Sequence, residues 1–291
     1  MTVANFASAL ARRDAETNRV KALDNDIYFP VAQVTLNSIV DDAINDNKRS
    51  AIIRTDTNEI LGIHSKKYKL TPNEIVFDAL DRALQNSDRL DLNGMTIDDK
   101  CAEAGSRTVR TYTLPEHNVE PTKDDVTEMR FTVTNSYDGS TNLNVKVGGY
   151  RLLCLNGMVS GSAFGEYRNR HTSLFSAEEM SAYLNAAVEN FLLMGERWKT
   201  MVKTPVSDAE AAAFLVKFTG GTRLTQTLMT YYVQEKQKLG ANQWALFNAL
   251  TYWSTHEQVK KTSLANRPIV VVEREKKVGI AINSPLFLKV A

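Results

Sequence analysis

The sequence of 291 residues has few cysteines and no long hydrophobic runs. Its two cysteines, Cys101 and Cys154, lie 53 positions apart without metal-ligand spacing, so each is predicted to be a free thiol in a reducing compartment. The longest apolar runs, such as residues 191–194, are far too short to span a bilayer, and the first twenty residues lack the apolar region of a signal peptide. These absences predict a cytoplasmic protein that does not enter a membrane.

The sequence also lacks the common signatures of catalysis. It contains no HExxH zinc motif, no phosphate-binding GK[ST] loop, no GxSxG nucleophile turn and no paired CxxC motif. Its four histidines, His64, His117, His171 and His256, are scattered along the chain without partners at ligand spacing. The sequence therefore predicts a protein that is not an enzyme and that carries neither a metal nor another cofactor.

A large excess of one charge is missing as well, because the net charge is +1. The charges are unevenly distributed, however. Residues 1–130 carry 17 basic and 22 acidic side chains, whereas residues 131–291 carry 18 basic and 12 acidic ones. Such an asymmetry is typical of a protein with a basic face or of subunits that pair electrostatically, although an unevenly charged solvated surface gives the same counts.

What the sequence does contain is a clear strand pattern in its middle. Residues 131–134 alternate apolar and polar side chains, which is the period of a strand with one buried face. Asp138-Gly139 then predicts a tight turn, and residues 144–147 return as a second strand. Residues 150–155 follow as an apolar run that we expect to be buried, closed by a turn at Asn156-Gly157.

Other patterns predict the elements on either side. Residues 51–54 and 60–63 read as a strand pair, and residues 108–114 as a further strand. A helix is expected from Pro72, with Thr71 as its N-cap and Glu74 completing a capping box.

The last third of the sequence is mainly helical in pattern. Capping boxes at Ser176 and Ser207 precede helical stripes, and two further helices follow, whereas residues 267–273 are expected to form a strand or extended chain. We therefore predict an α+β fold in three parts. These are an N-terminal arm or helix (1–35), an antiparallel sheet with a covering helix (36–172) and a mainly helical subdomain packed on that core (173–291).

Basic and aromatic residues interleave near several predicted strand ends. Nucleic-acid grooves use this mixture, because cations neutralise phosphates and aromatic rings stack on bases. Lysines and arginines at strand ends also serve as solvated protection of sheet edges, so the pattern alone does not decide between the two uses. The candidate nucleic-acid-binding residues are Lys67, Tyr68, Lys69, Arg107, Arg110, Lys146, Arg151, Tyr167, Arg168 and Arg170.

Several segments, taken together and in this order, resemble one family. The segments are IIRTDTNEILGIHSKKYKLTPNE (52–74), NSYDGST (135–141), YRLLCLNGMV (150–159), NQWALFNALTYWSTHEQ (242–258) and the closing LFLKVA. They resemble the phage- and plasmid-associated domain of unknown function numbered 932, over roughly residues 50–291. The resemblance brings with it no activity and no catalytic residues.

The resemblance does imply a context of mobile elements, on which replication and recombination genes are common. Such elements carry ATP-independent single-strand annealing proteins, whose core is a curved antiparallel hairpin sheet crossed by a helix. Our leading hypothesis is therefore a phage or plasmid DNA-metabolism protein that binds single-stranded DNA as a homo-oligomer and promotes annealing or recombination. The cations would neutralise the backbone, Tyr68 or Tyr167 would stack, and the bases would stay exposed for pairing.

The competing hypothesis is a phage-encoded interaction protein that inhibits a host defence or remodels host machinery. Its partner would be a host protein, and its sequence correlate would be an exposed apolar patch around Trp244, Phe247, Tyr252 and Trp253. Trp244, Phe247 and Leu250 also fall on one helical stripe, which is typical of buried core.

Overall fold

The computed structural model describes residues 26–36, 48–153, 155–159, 166–171, 176–260 and 266–288. Most of the predicted N-terminal arm, and Cys154, lie outside these described residues. Cys101 is partly buried, and its Sγ lies 3.3 Å from the carbonyl oxygen of Asp26.

The first sheet has three antiparallel strands in the order β1-β2-β3. Strand β1 is Val31–Thr35, β2 is Arg49–Arg54 and β3 is Glu59–Ser65. The strand pair expected at residues 51–54 and 60–63 is thus confirmed, with β1 added from the segment predicted as an arm or helix. Phe29, Ile52 and Leu61 pack in a small core beneath this sheet.

Helix α1 (Asn73–Gln85) begins directly after Pro72, as predicted, but the predicted capping box is wrong. Pro72 occupies the N-cap position, and no side chain caps the helix locally. The backbone N–H of Asn73 donates instead to the hydroxyl of Tyr137, at 2.7 Å. A distant residue therefore satisfies the N-terminal donor that a neighbouring threonine was expected to satisfy.

A second, larger sheet has six antiparallel strands and is curled into a half-barrel. Its strands are β4 (Thr96–Ala102), β5 (Arg107–Val119), β6 (Thr127–Ser136), β7 (Leu143–Arg151), β8 (Asn156–Val159) and β9 (Glu166–Asn169). The order is β4-β5-β6-β7-β8. Strand β8 pairs with residues 148–151 of β7, and β9 pairs with residues 143–146 along the same edge of β7.

The central hairpin β6–β7 follows the prediction except at its end. Gly139 takes a φ of 72°, the left-handed conformation that the Asp138-Gly139 turn requires. Strand β7 continues through Gly148 and Gly149 to Arg151, and the residues after Arg151 are exposed to solvent. The expected buried run at residues 150–155 is wrong, because Leu152, Leu153 and Leu155 are 41%, 61% and 53% exposed.

In the part of the chain that the structure describes, six helices follow the larger sheet. They are α2 (Ala177–Lys203), α3 (Asp208–Thr219), α4 (Arg223–Leu239), α5 (Gln243–His256), α6 (Arg267–Ile282) and α7 (Pro285–Leu288). The N-caps predicted at Ser176 and Ser207 are confirmed, the latter with a complete capping box. Within the described ranges, none of these helices combines the length and the apolar character needed to cross a membrane.

The strand or extended chain expected at residues 267–273 is wrong, because this stretch forms the start of α6. Its β-branched residues favour a strand locally. The buried positions Ile269, Val278 and Ile282 recur at helical intervals, however, and Ile269 packs on Ala102 and Val109 of the larger sheet. Tertiary packing has therefore overridden the local preference.

The larger sheet is covered on both faces. On one face its apolar side chains, such as Tyr112, Phe131 and Val145, join a single core with α1, α2 and the helices that follow. On the other face α6 crosses from β4 and β5 to β8. The α+β fold with a curled sheet, a covering helix and a helical C-terminal region is therefore confirmed.

The aromatic residues considered as a docking patch belong to the core. Trp244 and Phe247 are fully buried and Trp253 is 6% exposed. The helical-stripe interpretation of this segment is therefore the correct one, and these three rings offer no exposed apolar surface to a partner.

Arginine ion pairs lie inside the fold. The guanidinium of Arg110 is fully buried between β4 and α1, with Nε 2.7 Å from Asp99 and Nη1 3.4 Å from Asp81. The Arg151 guanidinium binds both oxygens of Asp125, at 2.5 and 3.0 Å, and Glu235 of α4 at 3.1 Å. These pairs connect the sheet to the helices that cover it.

Removing one partner of such a pair leaves a buried charge uncompensated. We expect Arg151→Met to lower the free energy of unfolding by about 3–5 kcal/mol, because Asp125 and Glu235 lose the guanidinium between them. Urea denaturation at neutral pH measures the change. Lys199→Met, which breaks an exposed pair with Glu196, is the control and should cost less than about 1 kcal/mol. Equal losses in the two variants would contradict this role of Arg151.

Candidate nucleic-acid interface

The loop between β6 and β7 (residues 137–142), here called the hairpin turn, is held together by hydrogen bonds to the carboxylate of Asp138. The Ser140 amide donates to the Asp138 carboxylate at 2.8 Å, and Arg107 Nε donates to the same carboxylate at 2.6 Å. Burial opposes ionisation, but these hydrogen bonds hold the pKa of Asp138 below its usual value. Arg107 is therefore occupied in balancing the charge of the turn.

Three aromatic rings stack beside the hairpin turn. The Tyr68 ring lies between two imidazoles, with its centroid 4.0 Å from that of His64 and 5.0 Å from that of His171. The interplanar angles are 9° and 24°, so both faces of the tyrosine are covered. We call His64, Tyr68 and His171 the ring stack.

Each ring of the stack also donates a hydrogen bond to a backbone carbonyl at or next to the hairpin turn. Because a carbonyl oxygen can only accept, Nε2 must carry the proton in both histidines. The bonds run from His64 Nε2 to Tyr137 (2.7 Å), from the Tyr68 hydroxyl to Ser136 (3.0 Å) and from His171 Nε2 to Thr141 (3.2 Å). The three rings are therefore held both by stacking on one another and by hydrogen bonds to the backbone at the hairpin turn.

Burial changes the pKa values of His171 and Tyr68 within this stack. Burial lowers the pKa of His171, and the neighbouring His64 acts in the same direction, while the carbonyl of Thr141 partly opposes them. Its Nδ1 atom is buried without a hydrogen-bond partner, so a second ring proton would find no acceptor. Burial likewise raises the pKa of the Tyr68 phenol. At neutral pH, His171 and Tyr68 are therefore uncharged.

The stack brings two basic segments of the chain together. The amide of Lys69 donates to the carbonyl of His171, so the segment carrying Lys67 and Lys69 runs against the segment carrying Arg168 and Arg170. The side chains of these four residues are exposed. Segments 66–69 and 168–170, which both carry candidate nucleic-acid-binding residues, therefore lie side by side.

Lys146 and Arg168 share one face of the larger sheet. Arg168 pairs with Asn144 across β9 and β7, and Lys146 follows two positions later, so all three side chains point the same way. The guanidinium of Arg168 also contacts the Asn142 side chain in the hairpin turn, with Nε 2.6 Å from the amide oxygen in the orientation that satisfies both groups. Half-buried Lys146 therefore extends the basic surface along the sheet.

The remaining candidates are placed elsewhere or turned inward. Arg110 and Arg151 are 0% and 1% exposed within the ion pairs described above, so neither presents its guanidinium to a phosphate. Tyr167 is 5% exposed, and its hydroxyl donates to the carbonyl of Ser176 at 3.1 Å. Tyr68 is 6% exposed inside the stack. None of these four residues presents its side chain to a strand bound at the surface.

His64, His171 and Asp138 were not among the predicted site residues. The sequence places the two histidines far apart without ligand spacing, and nothing local indicates that they meet on one tyrosine. The available signal lay in the family resemblance, because its segments 52–74 and 135–141 supply His64, Tyr68 and the hairpin turn. Among the described residues, no three His, Cys, Asp or Glu side chains are grouped as metal ligands.

The chain matches a known protein family. A family model described as "Domain of unknown function (DUF932)" matches residues 60–277, which is about three quarters of the chain. The matched stretch includes the ring stack, the hairpin turn and the basic segments around them. No curated protein and no solved structure matches the chain.

The neutral His171 makes stability depend on pH. Its pKa is lowered in the folded protein, so on acidification the unfolded chain takes up this proton first, and stability falls as the pH drops below about 6.5. We expect His171→Gln, which keeps a donor for the Thr141 carbonyl but does not titrate, to flatten this acid-side loss. Urea midpoints measured between about pH 5 and pH 8 give the comparison.

The matched control for this measurement is His256→Gln, which leaves the ring stack intact and should keep the acid-side loss. An unchanged pH dependence in His171→Gln would mean that the buried imidazole is not the group responsible.

Proposed function

The chain belongs to the family described as "Domain of unknown function (DUF932)", and we propose that it binds single-stranded DNA. In this proposal it acts as an oligomer in phage or plasmid DNA metabolism and promotes annealing without ATP. The observation that carries the proposal is the basic surface beside the hairpin turn. We call it the cationic surface and define it by Lys67, Lys69, Lys146, Arg168 and Arg170.

The first support is electrostatic. Cations held close together release counterions when they bind a phosphate chain, which gives an affinity that falls steeply with salt. The nearest acid of the hairpin turn, Asp138, is already hydrogen-bonded to Arg107 and does not compete for these cations. The five cations of the surface also outnumber Glu166, the acid that pairs with Lys146 across β7 and β9.

The second support is that the backbone carrying the cations is held in place. Lys67, Lys69 and Arg170 are neighbours in sequence of Tyr68 and His171, which the hairpin turn holds by hydrogen bonds. The backbone that carries the cations is thus fixed before a strand arrives. Pre-organisation of this kind reduces the entropy lost on binding.

The size of this surface supports the oligomer in the proposal. Five cations change the salt slope by only about 3.5 for a single strand, at about 0.7 per phosphate contact, so one chain binds weakly. Several copies on one strand raise the overall affinity through effective concentration without any new contact. Adjacent copies would hold a long strand in an extended form, with its bases free to pair.

Reversing two of these charges tests the proposal. We expect Lys67→Glu combined with Lys69→Glu to weaken binding of a labelled single strand and to reduce the slope of log K against log salt by about 1.4, because two phosphate contacts are lost. Fluorescence anisotropy across a salt series from about 50 mM upward measures both quantities.

The matched control is Lys123→Glu combined with Lys203→Glu, which makes the same change in charge at two exposed sites. Lys123 precedes β6, at the end opposite the hairpin turn and about 33 Å away along that strand. Lys203 ends α2, about 40 Å along the helix from Ser176, whose carbonyl binds Tyr167. Equal losses in the two double variants, or undetectable binding by the unmodified protein at about 50 mM salt, would reject the cationic surface.

A further inference from the structure

The end of the larger sheet opposite the hairpin turn carries exposed leucines. Leu152, Leu153 and Leu155 follow β7, and all three side chains are exposed. Leu155 also takes a φ of 52°, a backbone conformation that bulky side chains rarely adopt. Exposed apolar residues on strained backbone are typical of a binding site.

An acidic loop lies beside these leucines. The amide of Leu152 donates to the carbonyl of Val126 at 3.0 Å, which places the leucines next to the connection between β5 and β6. Lys123 is the one lysine or arginine among residues 115–126. The exposed acids of the same stretch are Glu116, Glu120 and Asp124.

The acidic loop carries a net negative charge of its own. His117 within it is neutral, because its Nε2 accepts a hydrogen bond from the amide of Asp91 at 2.8 Å. The amide of Asp124 donates to the carboxylate of Glu120, which holds these two acids close together. The ion-pair group behind the loop balances two bases with two acids, which are Arg151, Lys238, Asp125 and Glu235. We call residues 115–126 and the three leucines the distal end.

The other end of the sheet has the complementary features. The cationic surface lies there, and β3 beside it half-exposes Ile60 and Ile63. Strand β3 borders the hairpin turn, since a Cβ on Gly62 would lie 2.4 Å from the carbonyl oxygen of Tyr137. Strand β6 separates the two ends by about 30 Å, at about 3.4 Å per residue. Each molecule therefore has a basic end and an acidic end, both with exposed apolar side chains.

From this arrangement we propose that, when no strand is bound, the distal end of one copy docks on the cationic surface of the next. Opposite charges at the two ends orient the copies head to tail and make this pairing specific. Because the interface joins two different patches, it extends into chains or closes into rings.

This docking regulates the cationic surface. The acids of the neighbouring copy occupy lysines and arginines that a phosphate chain needs, so a strand binds only by displacing the neighbour. The inference rests on the proposed function for this competition, whereas the docking itself requires no DNA. Copies on a strand are then held together by the strand.

Sedimentation velocity of the full-length protein measures the docking. We expect oligomers at about 0.1 M salt that dissociate at about 1 M, because the Debye length shortens from about 10 to about 3 Å. A thymidylate oligomer of about eight nucleotides, long enough for one copy, should also dissociate them at the lower salt concentration. A protein that is monomeric at both salt concentrations, or oligomers that persist with the strand bound, would overturn the inference.

Two charge variants identify the surfaces that meet. Lys67→Glu/Lys69→Glu alters the cationic surface and Glu116→Lys/Glu120→Lys alters the distal end. We expect each variant alone to self-associate at least about tenfold more weakly, because like charges then face each other. All four positions are exposed, and unchanged thermal unfolding confirms that the variants are folded.

A mixture of the two charge variants gives the sharpest result. The first variant keeps an intact distal end and the second keeps an intact cationic surface, so together they should form heterodimers. Nothing larger is expected, because both remaining ends are altered. Variants that stay monomeric when mixed contradict the head-to-tail interface.

Leu153→Ser tests the apolar contribution without changing a charge. We expect self-association to weaken by about tenfold, since a leucine side chain is no longer buried between copies. The matched control is Leu193→Ser in α2, because Leu193 is 54% exposed and Leu153 is 61% exposed. The control should leave self-association unchanged, and equal effects of the two substitutions would reject the distal end.

The outcomes separate this inference from the proposed function. If the unmodified protein binds a labelled strand but stays monomeric without it, the inference is overturned and the proposed function stands. If no strand binds, the proposed function fails, while heterodimers of the mixed variants still support the docking.

Discussion

Buried arginines set the positions of the helices that cover the larger sheet. Arg110 is paired with Asp81 of α1, Arg130 with Glu275 of α6 and Arg151 with Glu235 of α4. Removing a guanidinium from water costs several kcal/mol, so a buried arginine is stable only where its carboxylates are correctly aligned. A helix that shifted along the sheet would leave such a charge unpaired. These ion pairs therefore specify where helices lie on both faces of a curled sheet, more than they add to its net stability.

Arg168, in the strand beside the hairpin turn, is exposed instead, and the sequence does not separate the two environments. Arg110 and Arg168 both occur in strands beside polar residues, yet one is fully buried and the other is exposed. The difference lies in acids that meet the arginine only in the folded chain. Asp81 lies 29 positions from Arg110, and Glu235 lies 84 positions from Arg151. Which cations could face a ligand thus depends on long-range contacts that no local pattern contains.

Elements with a local cause were predicted correctly from the sequence. The glycine of the hairpin turn and the serine N-caps depend on backbone conformation or on bonds a few residues long. Errors arose where neighbours distant in the chain decide the outcome. The β-branched stretch 267–273 is helical because it packs across the sheet, and Leu152 is exposed because β7 ends at Arg151. The ring stack is the extreme case, because Tyr68 follows β3 and His171 follows β9, so the two residues meet only in the folded chain.

The segments that carry the family resemblance meet in pairs within the fold. Segment 155–157 packs on α5, where the Asn156 amide donates to Thr251 at 3.4 Å. A Cβ on Gly157 would lie 2.1 Å from Glu275, so glycine is required for the Arg130–Glu275 ion pair to form. This first meeting point is buried and serves the framework. The second, between segments 52–74 and 135–141, forms the ring stack and continues directly into exposed lysines. Of these two meeting points, the first is centred on the buried Asn156 and Gly157, whereas the second leads into the exposed lysines of the cationic surface.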